Sequence, residues 1–202
     1  MVLNGFNLID GTNSLCTLNF LIISVFAYLT LNKIDSSFVN YELSIFITFL
    51  TIFFIFNFLG LNFLGDGAAY GISFFIGYIF VKISLLDQSI SPFFIANIFW
   101  YPAFENLFSI IRRSSQGINN YLPDNNHLHH FIYKYLKRIN FVKKNFLLSS
   151  LVGLIINFFL IINYSIGFIY IYNTALQVCL ILINIFLYLI AYYILQKKVN
   201  ES

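Results

Sequence analysis

The sequence predicts an all-α, polytopic membrane helical bundle of about six transmembrane helices, and three observations lead there. Apolar residues make up 59% of the 202-residue chain and charged residues only 9%. A soluble domain carries about 25% charged residues, so this chain has too few to cover a water-facing surface. The apolar residues gather in runs close to the roughly 20 that a helix needs to cross the hydrocarbon core. None of the runs shows the strict alternation, over about ten residues, of a barrel strand.

Taken in order, the predicted spans are 15–31, 43–59, 68–86, 92–111, 146–163 and 174–195, in one integral membrane domain covering 1–202. The breaks are short and polar, as at Asn32-Lys33-Ile34-Asp35-Ser36-Ser37 and Asp87-Gln88-Ser89. The first run has no Lys or Arg before it and no small-residue cleavage site after it, so it reads as a permanent span. Phe (26) and Tyr (14) are spread along the runs rather than gathered into a site. Cys16 and Cys179 lie in or beside separate apolar segments, and neither has a His or Cys at ligand spacing. A disulfide framework and a zinc site are therefore both disfavoured.

Charge sets the orientation. Of the 11 Lys and Arg residues, Arg112, Arg113, Lys134, Lys137, Arg138, Lys143 and Lys144 lie in the loop 112–145, and Lys197 and Lys198 follow the last span. Lys and Arg favour the cytoplasmic side. With six spans, that loop, the N-terminus and the turn around Asp66 all face the cytoplasm.

Three polar clusters fall on this face. The first is Asn4-Gly5-Phe6-Asn7-Leu8-Ile9-Asp10-Gly11-Thr12-Asn13, which also reads as a helix-capping turn. The second, Phe63-Leu64-Gly65-Asp66-Gly67-Ala68-Ala69-Tyr70-Gly71, sets an Asp between glycines where a helix N-terminus offers free N–H groups to a phosphate. Its small residues also suit helix–helix packing, yet an Asp there needs a partner, and a metal ion would serve. The third, Pro123-Asp124-Asn125-Asn126-His127-Leu128-His129-His130, holds all 3 histidines of the chain. It lacks the Glu of the zinc peptidase motif. With Arg112 and Arg113 nearby in sequence, phosphate binding is the better chemical reading. Together the clusters offer carboxylates, arginines, histidines and amides suited to Mg²⁺ and a diphosphate.

The order and spacing of these clusters resemble the polyprenyl-phosphate N-acetylhexosamine-1-phosphate transferase (WecA/MraY-like) family over essentially the whole chain. Asn7, Asp10, Gly11 and Asn13 match its N-x-x-D-G-x-(D/N)-G-L element, and Phe63 through Tyr70 match F-L-G-D-G-(G/A)-A-Y. Arg112-Arg113 and the Pro-Asp-x-x-His-Leu-His-His run are similar to its R-R…P-D-x-x-H-(I/L)-H-H loop. The resemblance implies transfer of a sugar-1-phosphate, GlcNAc-1-phosphate or a relative, from a UDP-sugar to undecaprenyl phosphate, with release of UMP. That is the first membrane step of cell-envelope glycan synthesis, at the cytoplasmic face of the bacterial inner membrane.

The resemblance further implies Asp66 as a ligand of Mg²⁺, with Mn²⁺ as a substitute, and Asp10 beside the reacting phosphates as a second ligand or as a charge-organising acid. His127, His129 and His130, with Arg112 or Arg113, are implied to hold the donor's phosphates or sugar, while Asn7 binds the nucleotide or positions Asp10 and Asn13 bears on the nucleotide contacts. Glu105 reads instead as an internal ion-pair or hydrogen-bond residue. The expected partners are the UDP-sugar and the polyprenyl phosphate; a homodimer is compatible, and no nucleic acid is expected.

Two features depart from the family pattern. Asn13-Ser14 stands where many members have Asp-Gly. Members also carry an adjacent Asp-Asp pair upstream of the first cluster, and none of the 8 acidic residues here adjoins another. The chain therefore reads as the C-terminal part of a longer transferase, completed by a separately encoded N-terminal half or by a start codon further upstream, and inactive alone. The alternative is a non-catalytic remnant or membrane assembly protein.

Overall fold

The computed structural model describes residues 1–36, 40–117 and 124–201. Ser37 of the first predicted break and Pro123 of the third cluster lie outside them. Among the described residues the chain is helical throughout: α1 Val2–Ile9, α2 Leu15–Lys33, α3 Asn40–Phe58, α4 Asp66–Leu86, α5 Pro92–Ile98, α6 Trp100–Ser115, α7 Leu128–Arg138, α8 Asn145–Ile169 and α9 Thr174–Asn200. The all-α membrane bundle is as the composition predicts. The helices α2, α3, α4, α8 and α9 are each long and apolar enough to cross a membrane.

The predicted span 92–111 needs correction, because it is a broken pair of helices rather than one apolar rod. Pro102 has no N–H to donate to the Ile98 carbonyl, and its ring crowds that turn. The helix breaks at Phe99 and resumes when Ala103 donates to the Phe99 carbonyl at 3.2 Å. Beyond the break, α6 buries Glu105, Asn106, Ser109 and Arg113 on its inner face, a polar stripe that no lipid-facing helix could carry.

Two further expectations change. The loop 112–145 contains the amphipathic helix α7, and most of the first cluster is helix α1, leaving only Asp10–Ser14 as a turn. A Cβ on Gly5 would sit 2.0 Å from the Pro102 carbonyl oxygen, so α1 lies backbone to backbone on α6. The small residues of α4 behave differently. Nothing lies within 4 Å of a Cβ built on Gly67 or Gly71, so the packing of that cluster rests on the buried Ala69 and not on its glycine pair.

Hydrogen bonds fix which helix ends share a side. At one end, the Ser14 N–H donates to Asn57 Oδ1 and the Ser14 hydroxyl to the Ser150 carbonyl, both at 2.7 Å. The starts of α2 and α8 therefore meet the end of α3. At the other end, Lys33 Nζ donates to the Phe168 carbonyl (3.2 Å), Tyr172 to Asp87 Oδ2 (3.3 Å) and the Ser91 N–H to the Ile171 carbonyl (3.1 Å). The α5–α6 pair runs from this second end back to the first. The core between them is aromatic, with Phe6 stacked on Phe20 at 4.3 Å and Phe80 edge-on to Phe99 at 5.3 Å. Outward, α3 and α9 present residues such as Phe49, Ile52, Phe186 and Ile190, a surface that suits lipid.

Candidate functional site

The turn from α1 into α2 gathers the first two clusters. Asp10 closes α1, and its carboxyl is hydrogen-bonded by the backbone of Gly65 and lies within range of the Asp66 charge. Gly65 takes φ +75°, a left-handed conformation that glycine adopts without strain, and the chain then starts α4 at the exposed Asp66. Burial is the main reason that the Asp10 carboxyl is raised to about 6; the Gly65 hydrogen bond opposes it and the Asp66 charge adds to it. Two carboxylates brought together in this way attract a cation.

The third cluster closes on the same turn. A Cβ on Gly11 would lie 2.8 Å from His129 Nε2 and 3.4 Å from His130 Nε2, so the absence of a side chain lets the turn rest on both rings. Those rings are 4.2 Å apart, centroid to centroid. His129 is fully buried, yet neither of its ring nitrogens has a hydrogen-bond partner among the described residues; His130 Nδ1 and Thr12 Oγ1 lack one too. Buried polar atoms in a native fold are nearly always paired; Asn19 Oδ1, Trp100 Nε1, Tyr101 Oη and Tyr164 Oη in the helix core lack partners among the described residues too, so it is the gathering of the two imidazoles at Gly11 that makes this turn a candidate site. Burial, then the His130 and His127 charges, lowers His129 well below its usual value. Burial, His127 and Lys134 lower His130 to about 4, against the opposing pull of Glu105 and Asp124. Both imidazoles are therefore neutral near pH 7 and act as hydrogen-bond donors and acceptors, not as fixed positive charges.

His127 stacks beside them, its ring 5.5 Å from that of His129 and 5.6 Å from that of His130, but its nitrogens face the other way. Its Nδ1 lies 2.9 Å from Glu105 Oε1 and its Nε2 3.7 Å from Asp124 Oδ2. Arg112 also turns inward, paired with Asp124, whose Oδ2 accepts from the Ser109 hydroxyl at 3.0 Å. Burial alone would raise Asp124, but Arg112, His127 and the Asn126 N–H together hold its carboxyl below the usual range. Of the residues expected to grip phosphate, Arg112 and His127 thus brace α6 against the start of α7.

Arg113 and Asn7 meet elsewhere. With Asn4, Tyr70, Asn106 and Ser109 they line a polar cavity of about 410 Å³ between α1, α4 and α6. Asn7 Nδ2 donates to the Tyr70 hydroxyl at 3.4 Å. Asn13 holds the turn, its N–H donating to Ser149 Oγ at 3.0 Å and its amide lying against Gly60. A groove of about 480 Å³ lined by Leu18, Leu154, Phe158 and Phe159 is apolar and lies apart from these residues.

Among the described residues, no group of three or more His, Cys, Asp or Glu is arranged to hold a metal. Asp10 and Asp66 supply two hard oxygen donors. That set suits Mg²⁺ or Mn²⁺, since Mg²⁺ is commonly held by one or two carboxylates and takes its remaining ligands from water and substrate phosphates.

Two contributors went unread in the sequence. Ser109 was legible in principle, because Glu105, Ser109 and Arg112 recur at helical spacing on one face. Tyr188, which reaches Glu105, sits in an apolar run without any local signal. No family model matches the chain, and no curated protein or solved structure is similar to it.

Proposed function

We propose that the chain is the catalytic C-terminal part of a membrane phosphoglycosyl transferase, working at the cytoplasmic face of a bacterial inner membrane. It moves a sugar-1-phosphate from a UDP-sugar to a polyprenyl phosphate. The observation that carries this reading is one turn that brings Asp10 within range of the Asp66 charge and rests Gly11 on the rings of His129 and His130.

A lipid phosphate oxygen attacks the phosphorus that bears the sugar; the new P–O bond forms as the bond to UMP breaks, and UMP leaves with the bridging oxygen. Asp10 and Asp66 would hold Mg²⁺, which would neutralise charge and polarise the phosphoryl oxygens. The neutral N–H groups of His129 and His130 suit hydrogen bonding to the equatorial oxygens as charge builds on them. Arg113 and Asn7, in the adjoining polar cavity, suit the nucleotide half of the donor. His127 and Arg112 act through the scaffold of α6 and α7.

The test is Mg²⁺-dependent release of UMP from several UDP-sugars with undecaprenyl phosphate. It uses membranes holding this chain alone and together with the segment encoded just upstream. Turnover is expected only in the completed enzyme, and Asp66→Asn is expected to reduce it to background. Full activity in that variant removes Asp66 from the metal site. If no combination turns over, the chain is a non-catalytic remnant or membrane assembly protein, the reading favoured by its lack of an adjacent acidic pair.

A further inference from the structure

Three helices meet on one buried carboxylate. Glu105 of α6 is 1% exposed, and its oxygens take three hydrogen bonds. His127 Nδ1 (2.9 Å) and the Leu128 N–H (3.4 Å) reach Oε1, and the Tyr188 hydroxyl of α9 (2.8 Å) reaches Oε2. A buried carboxylate is tolerated only when donors surround it, and these suit the ionised form, which accepts only. The ring nitrogen that faces such an acceptor carries the proton, which sets the tautomer of His127.

Glu105 also does a second thing. Leu128 is the first residue of α7, and its N–H is one of the donors that every helix leaves unsatisfied at its start. His127 stands at the N-cap of α7 without making a side-chain cap bond; the cap comes from Glu105, across the interface. The next two residues of that first turn are His129 and His130, whose rings lie against Gly11.

We propose that Glu105 is a positioning residue: braced by Tyr188, it fixes His127 as the Nδ1–H tautomer and caps α7 in trans, and so sets His129 and His130 over the Asp10–Gly11 turn. Its effect on turnover rests on the transferase reading; its effect on the histidines does not.

Nuclear magnetic resonance separates the two. The chain has 3 histidines, so the 202-residue chain, ¹⁵N-labelled at histidine in lipid nanodiscs, gives an assignable imidazole spectrum. The expected wild-type result is a His127 ring protonated at Nδ1 and slow to exchange with solvent. Glu105→Gln keeps an acceptor oxygen and is expected to keep that signal. Glu105→Leu keeps the volume without the acceptor; it is expected to lose the signal and to move the resonances of His129 and His130. Wild-type His127 with a bare Nδ1 overturns the proposal, even if the Leu variant fails to fold. So does a Leu variant whose three histidines are unchanged. In the completed transferase, kcat is expected to fall in Glu105→Leu at unchanged KM for the UDP-sugar, and Gln is expected to rescue it. A change confined to KM refutes the positioning role, whereas absence of turnover in the wild type refutes the transferase reading and leaves the spectral result standing.

Discussion

Two buried polar regions of this protein are made of similar material and are built in opposite ways. Between α5, α8 and α9, the side chains of Asn97, Asn163, Gln177 and Asn184 bond to one another. Asn163 donates to Asn97 Oδ1 (2.9 Å), Asn97 donates to Gln177 Oε1 (3.1 Å), and Asn184 donates to Asn163 Oδ1 (2.8 Å). Gln177 also donates to the carbonyls of Gly167 and Tyr170. At the other end of the bundle, His129 is as deeply buried as Gln177, yet neither of its ring nitrogens has a partner among the described residues. Polar groups that hold membrane helices together find each other. The imidazole of His129 finds no partner among the described residues, and an unpaired buried polar group costs free energy locally.

The contrast can be broken at either end. The largest effect is expected from Gly11→Ala, whose new methyl must push His129 aside. Misplacing a site group by about 1 Å can cost about 100-fold in turnover. UMP release by the completed enzyme is expected to fall by that order, while the unfolding midpoint stays near the wild type. An equal loss of stability would make the contact a packing contact.

Asn163→Leu should do the reverse. It removes two interhelical hydrogen bonds and is expected to cost about 1–2 kcal/mol of stability, read as a lower midpoint in detergent, with the histidine resonances unmoved.

A smaller and pH-dependent effect is expected at Asp10. Its folded carboxyl titrates at about 6, above its unfolded value near 3.9, so the folded state holds the proton more tightly. Stability from this group is full below about pH 4 and falls as pH rises through about 6. Asp10→Asn is therefore expected to raise the midpoint at pH 7–8 without divalent cations, and to do nothing at pH 4. An equal gain at both would exclude the charge as cause. The smallest effect is expected from Cys179→Ser, on the exposed face of α9, within about 0.5 kcal/mol and with no change in UMP release.

Much of this architecture was legible in the residues. Composition and run length fix an all-α membrane bundle because lipid leaves the backbone few alternatives. Pro102 was visible, but a long apolar run outweighed it, and only the packed structure gives the polar stripe of α6 its inward place. Both α1 and α7 are short amphipathic helices, and an eight- or eleven-residue helix owes its existence to tertiary contact more than to its own propensity. At the site, residue types and helical spacing point to Glu105 as an internal group. The division of the histidines is different: His127 turns inward and the next two face Gly11, because the change of direction at the start of α7 depends on Glu105 and Tyr188, far away in sequence.

The reach of Tyr188 has a mechanical consequence. The apolar part of α9, residues 174–195, is about 33 Å of helix, slightly more than a hydrocarbon core of about 30 Å. Its buried residues are Gln177, Tyr188 and Tyr192; Gln177 anchors one end, while Tyr188 holds Glu105 and Tyr192 holds the Asn126 carbonyl just ahead of α7. A helix longer than the bilayer is thick adjusts by tilting. A change in that tilt would act on the two contacts that flank the start of α7, so membrane thickness would reach the histidines through Tyr188 and Tyr192.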